Sequence, residues 1–196
     1  GNVGHRVARY AKAFEMDVLA YDPYIAEEVF ERHHAKKCTW DELISSADVI
    51  SLHVPKTEET TGIIGPEEFS KMKFGVVILN TARGGVIQEK PLLEGLKSGK
   101  VAAAGIDTWE VEPPKENPFR NLPQVVMSPH VGASTTEAQK RIAESIAIQT
   151  PRALRGEVVD YPVNMPSVQV LGNGPVSSYA SLAEKLGFFS SQYVAF

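Results

Sequence analysis

The sequence predicts an α/β fold built on a doubly wound parallel sheet. Short apolar segments rich in β-branched residues alternate with segments of helical periodicity, an order typical of such folds. Several apolar segments lack polar alternation, as expected of strands buried on both faces of a parallel sheet. We expect strands at 17–21, 37–39, 48–53, 76–81, 101–107 and 124–128, and helices at 3–14, 27–32, 41–45, 66–71, 89–98 and 135–154.

The first predicted helix has an apolar face that should contact the sheet. The members of this face recur at helical spacing and are Val3, Val7, Ala11 and Phe14. Gly1 and Gly4 stand at the start of the helix, where an earlier strand and glycine would complete the G-x-G-x-x-G loop that binds a dinucleotide. We therefore expect the domain to lack its first, central strand, and the 196 residues expressed alone to be poorly folded.

The last predicted helix carries its own start and stop signals. Ser134 and Glu137 form a capping-box pattern, and Pro151 predicts a kink or stop near 149–150. An apolar row that should face the sheet comprises Ala138, Ile142 and Ile146. The later Pro- and Gly-rich segment predicts a connector, so we divide the chain into a domain at 1–158 and a connector with the start of a further helix at 159–196.

The composition narrows the class of protein. The net charge is −4 and no basic patch stands out, which argues against a nucleic-acid partner. No apolar run reaches the roughly 18 residues of a membrane-spanning helix, so we expect no membrane partner. The single cysteine, Cys38, excludes an internal disulfide and suits a reducing compartment, so we expect a cytoplasmic protein.

Polar residues follow several predicted strands where parallel sheets bind ligands. Arg83 precedes two glycines, which indicates a close backbone approach, and its planar fork suits a carboxylate. Asp107 ends one strand and His130 follows another. A histidine exchanges protons near neutral pH, and a carboxylate such as Glu112 fixes its tautomer. Each residue alone would more often be a surface residue, but together they predict a catalytic site.

An acidic residue completes the predicted dinucleotide site. Asp22 ends the strand at 17–21, where such a residue binds the adenosine ribose, although Asp-Pro is also a common turn pair. The amides at the start of the first helix, including those of Asn2 and Val3, would face the pyrophosphate. Because Asp22 repels a 2′-phosphate, the sequence favours NAD over NADP.

Three segments in this order, NTARGGVI, DTWEVEPP and SPHVGAST, resemble the motifs of the D-2-hydroxyacid dehydrogenase family. The resemblance implies a Rossmann-type NAD-binding domain. Further segments resemble the branch of the family that oxidises D-3-phosphoglycerate to 3-phosphohydroxypyruvate in serine biosynthesis: LLEGLKSGKVAAAGID, ASTTEAQKRIAE, VNMPSV and LAEKLG.

The resemblance also implies a role for each candidate residue. His130 would take the hydroxyl proton, Glu112 would be its carboxylate partner, and Arg83 would bind the substrate carboxylate. The hydride would pass to NAD without a metal ion. The implied cofactor contacts are Gly1, Asn2, Val3, Gly4, Asp22, Val54, Thr81, Ala82, Arg83, Asp107, His130, Val131, Gly132 and Ala133.

Two other functions stay open at this point. Another D-2-hydroxyacid dehydrogenase, such as a glyoxylate or hydroxypyruvate reductase, would share all three catalytic residues. A non-enzymatic, NAD-sensing protein like the co-repressors that resemble this family would keep them as well. For either enzyme we expect a small-molecule 2-hydroxy acid as substrate and a homo-oligomeric full-length protein.

Overall fold

Helices and strands alternate along the described part of the chain, which comprises residues 1–155, 157, 159–160, 162, 182–183, 185–187 and 189–190 of this computed structural model. The strands are β1 (Leu19–Ala20), β2 (Lys36–Lys37), β3 (Val49–Leu52), β4 (Val76–Asn80), β5 (Val101–Ile106) and β6 (Val125–Met127). The helices are α1 (Gly4–Ala13), α2 (Glu27–Arg32), α3 (Trp40–Ser46), α4 (Pro66–Lys71), α5 (Glu89–Ser98) and α6 (Thr136–Leu154).

The strands pair in parallel, and this confirms the predicted α/β fold class. Four of them form one sheet in the order β3-β4-β5-β6, whereas β1 and β2 form a separate two-stranded sheet. Within the described residues β1 therefore pairs only with β2, and β3 only with β4. The ends of β3 to β6 that lead into the following loops share one edge, which we call the carboxyl edge.

The hydrophobic core lies on the four-stranded sheet. In β4, residues 76, 78 and 80 are buried and the two between them are half-buried, because neighbouring side chains of a strand point to opposite faces. The most deeply buried side chains of the described chain are Phe119, Ile44, Ile64, Ile78, Val76, Val86 and Val101. Helices α3 and α4 add Ile44 and Phe69 to this core. The carboxyl edge is therefore carried by a densely packed platform.

The apolar face of α1 is exposed, which corrects our expectation that it packs on the sheet. Val3 is 58% exposed, Val7 37% and Phe14 81%, and α1 buries none of its residues. The sheet formed by β1 and β2, the strands that follow α1 in the chain, is small, because each strand has two residues. It therefore offers too little surface to cover a helix of ten residues.

Two expectations for the last helix are also wrong. Thr135, not Ser134, is the N-cap of α6, since the helix begins one residue later and the Thr135 hydroxyl accepts the Ala138 amide at 3.1 Å. The helix also continues past Pro151 to its predicted end at Leu154, so the stop expected near 149–150 is wrong, whereas the alternative of a kink stays a prediction. A proline removes only its own amide from the helix, so close to the end the loss is confined to the last turn.

Helix α6 belongs to a different compact unit from the strands. One unit spans Gly1–Ala133 and the other Ser134–Phe196. Helix α6 buries no residue, and Ile142 and Ile146 are 49% and 60% exposed, while the expected packing of this row on the sheet stays a prediction. The described residues 182–183, 185–187 and 189–190 are helical, as predicted, whereas almost all of the predicted connector lies outside the described residues. Every helix of the described chain is too short or too polar to cross a bilayer.

Candidate active site

Three of the predicted site residues follow neighbouring strands of the four-stranded sheet. Arg83 follows β4, Asp107 comes directly after β5, and His130 follows β6. Because these strands are parallel and adjacent, their ends place all three residues at the carboxyl edge, as the sequence predicts.

His130 and Glu112 form a hydrogen-bonded pair at this edge. His130 Nδ1 lies 2.8 Å from Glu112 Oε2, and Glu112 Oε1 accepts the Trp109 amide at 3.0 Å. These two hydrogen bonds, that of His130 first, hold the pKa of Glu112 below its ordinary value. The carboxylate therefore stays ionised and engages Nδ1, so His130 Nε2 is the nitrogen available to exchange a proton with a ligand.

Asp107 holds the loop that carries His130. Its Oδ1 accepts the Ser128 hydroxyl at 2.6 Å and the Val131 amide at 2.8 Å, and its Oδ2 accepts the Gly132 amide at 3.0 Å. Burial by itself would raise the pKa of Asp107, but these hydrogen bonds outweigh it and lower the pKa. The fixed Ser128 hydroxyl and Val131 amide stand on the two sides of His130 in the chain. The φ of His130, +62°, costs a non-glycine residue on the order of 1–3 kcal/mol.

The turn that carries Arg83 is organised by a residue that our sequence analysis missed. Asn80, only 4% exposed, donates from Nδ2 to the Arg83 carbonyl at 3.0 Å and accepts the Ala82 amide on Oδ1 at 3.1 Å. A polar residue inside the apolar segment VVILN was the available signal, because a buried amide needs partners. Arg83 itself is exposed and donates from one guanidinium nitrogen to the Ala82 carbonyl.

Trp109 joins the three motifs and was also missed from the sequence. Its indole Nε1 donates to the Ser128 carbonyl at 3.0 Å, its amide donates to Glu112, and the residue is 5% exposed. A Cβ on Gly84 would collide with the Trp109 carbonyl oxygen, so the Arg83 turn lies directly against the Trp109 backbone. This is the close approach that the two glycines predict.

The glycine loop fits the pyrophosphate of a dinucleotide. The amides of Asn2, Val3 and Gly4 donate to no acceptor among the described residues, and they stand at the start of α1, where the helix dipole favours an anion. A Cβ on Gly4 would lie 3.5 Å from the His53 side chain, so α1 begins close to the end of β3. Val54 follows His53 in the chain and belongs to the loop after β3, at the carboxyl edge.

Asp22 forms the predicted turn and keeps one carboxylate oxygen available to a ligand. It follows β1 and its Oδ1 accepts the Tyr24 amide at 3.0 Å, which is the turn geometry that Asp-Pro predicts. No hydrogen bond joins Asp22 to the glycine loop within the described residues. Its half-buried carboxylate keeps Oδ2 without a protein donor in the described chain, so this oxygen can accept from a ribose hydroxyl.

The remaining predicted contacts lie in the loops already described. Thr81 is exposed at the end of β4, whereas Ala82 is 8% exposed and is held through its amide. Val131, Gly132 and Ala133 are exposed in the loop after His130. Together with Asn2 and Val3 they line the carboxyl edge and the adjoining glycine loop.

Residues 1–132 match the family described as D-isomer specific 2-hydroxyacid dehydrogenase, NAD binding domain. The chain belongs to this family. Residues 1–132 are an NAD-binding domain, as the sequence predicts, and the glycine loop and Asp22 suit that cofactor. Two curated relatives are named D-3-phosphoglycerate dehydrogenase. The protein from Archaeoglobus fulgidus is 45% identical to this chain over 97% of its length, and the protein from Methanocaldococcus jannaschii is 46% identical over 95%. The chain spans 36% of each relative's length.

Solved structures of the family share the fold. A glyoxylate reductase from Paecilomyes thermophila is 40% identical with a TM-score of 0.76, and the match covers 81% of this chain and 48% of that one. A D-lactate dehydrogenase from Aquifex aeolicus, complexed with NAD and lactic acid, is 33% identical with a TM-score of 0.73, covering 80% and 52%.

Proposed function

We propose that the protein carrying this domain oxidises D-3-phosphoglycerate to 3-phosphohydroxypyruvate with NAD⁺, the first step of serine biosynthesis. The observation that carries the chemistry is the 2.8 Å contact between His130 and Glu112 at the carboxyl edge. The choice of substrate is supported by curated relatives named D-3-phosphoglycerate dehydrogenase, which are 38–46% identical to this chain.

In this proposal the chain's own residues manage the proton and the substrate's charge. His130 Nε2 accepts the proton of the substrate's hydroxyl group, and ionised Glu112 stabilises the imidazolium that forms. Arg83 uses only one of its five N–H donors on the Ala82 carbonyl, so the others can bind the substrate carboxylate and polarise the reacting oxygen. When bound, NAD⁺ would supply the hydride acceptor, and the hydride would come from the carbon that carries this hydroxyl group.

The cofactor contacts divide between the two ends of the site. The amides of Asn2, Val3 and Gly4 would bind the pyrophosphate, and Asp22 Oδ2 would accept a hydrogen bond from the ribose. Asp107 keeps its loop in place and has one lone pair on Oδ2 left for the nicotinamide carboxamide, since that oxygen accepts only the Gly132 amide.

Steady-state kinetics of the full-length protein test the proposal. We expect kcat/KM with NAD⁺ to be higher for D-3-phosphoglycerate than for D-glycerate or D-lactate. A preference for an unphosphorylated acid would instead assign the protein to another dehydrogenase of the family, a function that the 40% identity to a glyoxylate reductase favours as the second candidate. NADH binding without turnover of any acid would favour an NAD sensor.

The proposal extends to the state of the full-length protein, a cytoplasmic homo-oligomer without nucleic-acid or membrane partners. Within these 196 residues, the net charge of −4 supports the expectation of no nucleic-acid partner, and the single, buried cysteine supports a reducing compartment. The homo-oligomer is what the family resemblance implies. Sedimentation of the purified protein and cell fractionation test the two parts separately.

A further inference from the structure

Two reciprocal hydrogen bonds join the start of α5 to the loop that carries Glu112. The Glu89 amide donates to Glu110 Oε1 at 2.9 Å, and the Glu110 amide donates to Glu89 Oε1 at 2.7 Å. Glu89 is the first residue of α5, and Glu110 lies two residues before Glu112. Each carboxylate therefore holds the backbone of the other segment.

The peptide group between Trp109 and Glu110 is held from two sides. A Cβ on Gly84 would collide with the Trp109 carbonyl oxygen and would lie 2.9 Å from the Glu110 nitrogen, so the Arg83 turn packs directly against this peptide. The N–H of the same peptide donates to Glu89 Oε1. Glu89 thus fixes the peptide on which the Arg83 turn rests.

The preceding amide connects this peptide to the acid-base pair. The Trp109 amide donates to Glu112 Oε1 at 3.0 Å, and Glu112 Oε2 lies 2.8 Å from His130 Nδ1. The Trp109 amide and the 109–110 peptide share one Cα atom, so a shift of the peptide also moves the amide that orients Glu112. A chain of three hydrogen bonds therefore runs from Glu89 to His130.

The charges of the two carboxylates do not explain their contact. Burial raises the pKa of Glu89, the hydrogen bond from the Glu110 amide lowers it, and the negative charge of Glu110 raises it. Because like charges repel, a neutral glutamine at position 89 would accept the same amide at a lower electrostatic cost. The contact is better explained by the peptide that the Glu89 oxygen holds.

We infer that Glu89 is a positioning residue, which holds the Arg83 turn and the Glu112 carboxylate in their relative orientation through the 109–110 peptide. The inference rests on the proposed function for the roles of these residues in dehydrogenation. A misplacement of reacting groups by about 1 Å can cost on the order of 100-fold in rate, so the expected effect is on kcat.

Kinetics of the full-length protein test the inference with Glu89→Ala. The matched control is Glu94→Ala, which removes an exposed acid of the same helix. Glu89→Ala should lower kcat about tenfold or more, while the dissociation constant of NADH changes less than about twofold. Glu89→Gln should keep most of kcat, because its amide oxygen accepts the same hydrogen bond.

The pH profile of kcat/KM distinguishes positioning from a loss of stability alone. The charged groups that face Glu112 are His130 and Asp107, and the hydrogen bonds with His130 and from the Trp109 amide lower the pKa of Glu112. Weakening the Trp109 bond in Glu89→Ala should raise this pKa toward its ordinary value. The decline of kcat/KM in acid should then begin at a higher pH than in the parent, whereas Glu89→Gln and the control keep the parent profile.

Glu110→Ala separates the two reciprocal hydrogen bonds. It removes the carboxylate that accepts the first amide of α5 but leaves the Glu110 amide bonded to Glu89, so kcat should fall less than about threefold. If Glu89→Ala does not fold, Glu89→Asp retracts the oxygen by one methylene group and should show the same two changes. An unchanged kcat and pH profile at position 89, or an equal loss of kcat in Glu110→Ala, overturns the inference.

The choice of substrate for these assays separates the inference from the proposed function. Each assay uses whichever of D-3-phosphoglycerate, D-glycerate and D-lactate the parent oxidises fastest. A preference for an unphosphorylated acid refutes the proposed function and leaves the test of Glu89 intact. Turnover of none of the three acids overturns both.

Discussion

The catalytic loops and the glycine loop differ in how their polar groups are satisfied. At the carboxyl edge Asn80, Asp107 and Trp109 bind the backbone of the Arg83 and His130 loops before any ligand is present. In the glycine loop the amides of Asn2 and Val3 have no acceptor within the described residues. The protein itself therefore preorganises the loops that carry Arg83 and His130, whereas the glycine loop keeps its amide donors available for the cofactor.

The two regions also differ in packing, because the four-stranded sheet that carries the catalytic loops is more densely packed than α1, which follows the glycine loop. The large buried side chains of the core pack around the four-stranded sheet, and all of them belong to the segment from Ile44 to Phe119. Helix α1 buries none of its residues, and Phe14 is 81% exposed. Substitutions at the carboxyl edge should therefore change rate or stability strongly, and substitutions near α1 should act mainly through the cofactor.

The largest expected effect is that of His130→Asn in the full-length protein. We expect kcat to fall roughly 10²–10⁴-fold, the usual contribution of a general acid or base, while the dissociation constant of NADH changes little. Asparagine tolerates the φ of +62°, so the backbone of the loop should persist. Near-native kcat in this variant would show that His130 is not the proton acceptor.

A pair of glycine substitutions compares the packing of the two regions. Gly84→Ala should lower the free energy of unfolding by about 1–3 kcal/mol or more, because its Cβ would overlap the Trp109 carbonyl oxygen. Gly4→Ala should cost less, because its Cβ would meet only the His53 side chain, at an ordinary distance of 3.5 Å.

Urea unfolding of both glycine variants measures the difference. Gly75→Ala is the control for backbone strain, since Gly75 has a φ of +84° but no atom within 4 Å of its Cβ position. Equal losses in Gly84→Ala and Gly4→Ala would remove the contrast between the regions.

Asp22→Ala tests the cofactor end. We expect the ratio of kcat/KM with NAD⁺ to kcat/KM with NADP⁺ to fall about tenfold, because the repulsion of a 2′-phosphate and the ribose hydrogen bond are both lost. The same variant should keep kcat with saturating NAD⁺. Glu28→Ala, an exposed acid of α2, is the control for the loss of one negative charge. If the parent uses NAD⁺ and NADP⁺ equally well, Asp22 does not select the cofactor.

The smallest expected effect is that of Thr108→Val at the carboxyl edge. The Thr108 hydroxyl is buried without a hydrogen-bond partner among the described residues, directly after Asp107. Thr108→Val keeps the shape and removes this unsatisfied group, so the free energy of unfolding should rise by about 1 kcal/mol. Thermal unfolding of the two proteins decides it. A destabilised variant would mean that the hydroxyl has a partner in the full-length protein.

Local signals in the sequence predicted most of the elements. The bounds of α2, α4 and α5 agree with the structure, because charged first turns, Pro66 and a left-handed Gly99 mark their ends. Strands β3 to β6 lie inside the predicted segments but are shorter by one or two residues at their ends. Parallel strands then bring Arg83 and His130 to one edge, and this placement followed from the sequence alone.

The supporting contacts could not be predicted in the same way. Trp109 meets Ser128 and Gly84 only in three dimensions, and no local pattern records those contacts. Asn80 carried a weak signal, a polar residue in an apolar strand, but its partners depend on the path of the following turn. The prediction that α1 packs on the sheet was wrong for a similar reason, because periodicity shows which face of a helix is apolar but not which element covers that face.

The contact between Gly84 and Trp109 has a consequence for protein engineering. The two backbones meet without an intervening side chain, so the positions of segments 80–86 and 107–112 depend on each other. In the chain, α5 and β5 separate the two segments. A chimaera with a related dehydrogenase should exchange both segments together. Exchanging one alone would mismatch the junction and tilt the Arg83 turn relative to the Glu112–His130 pair.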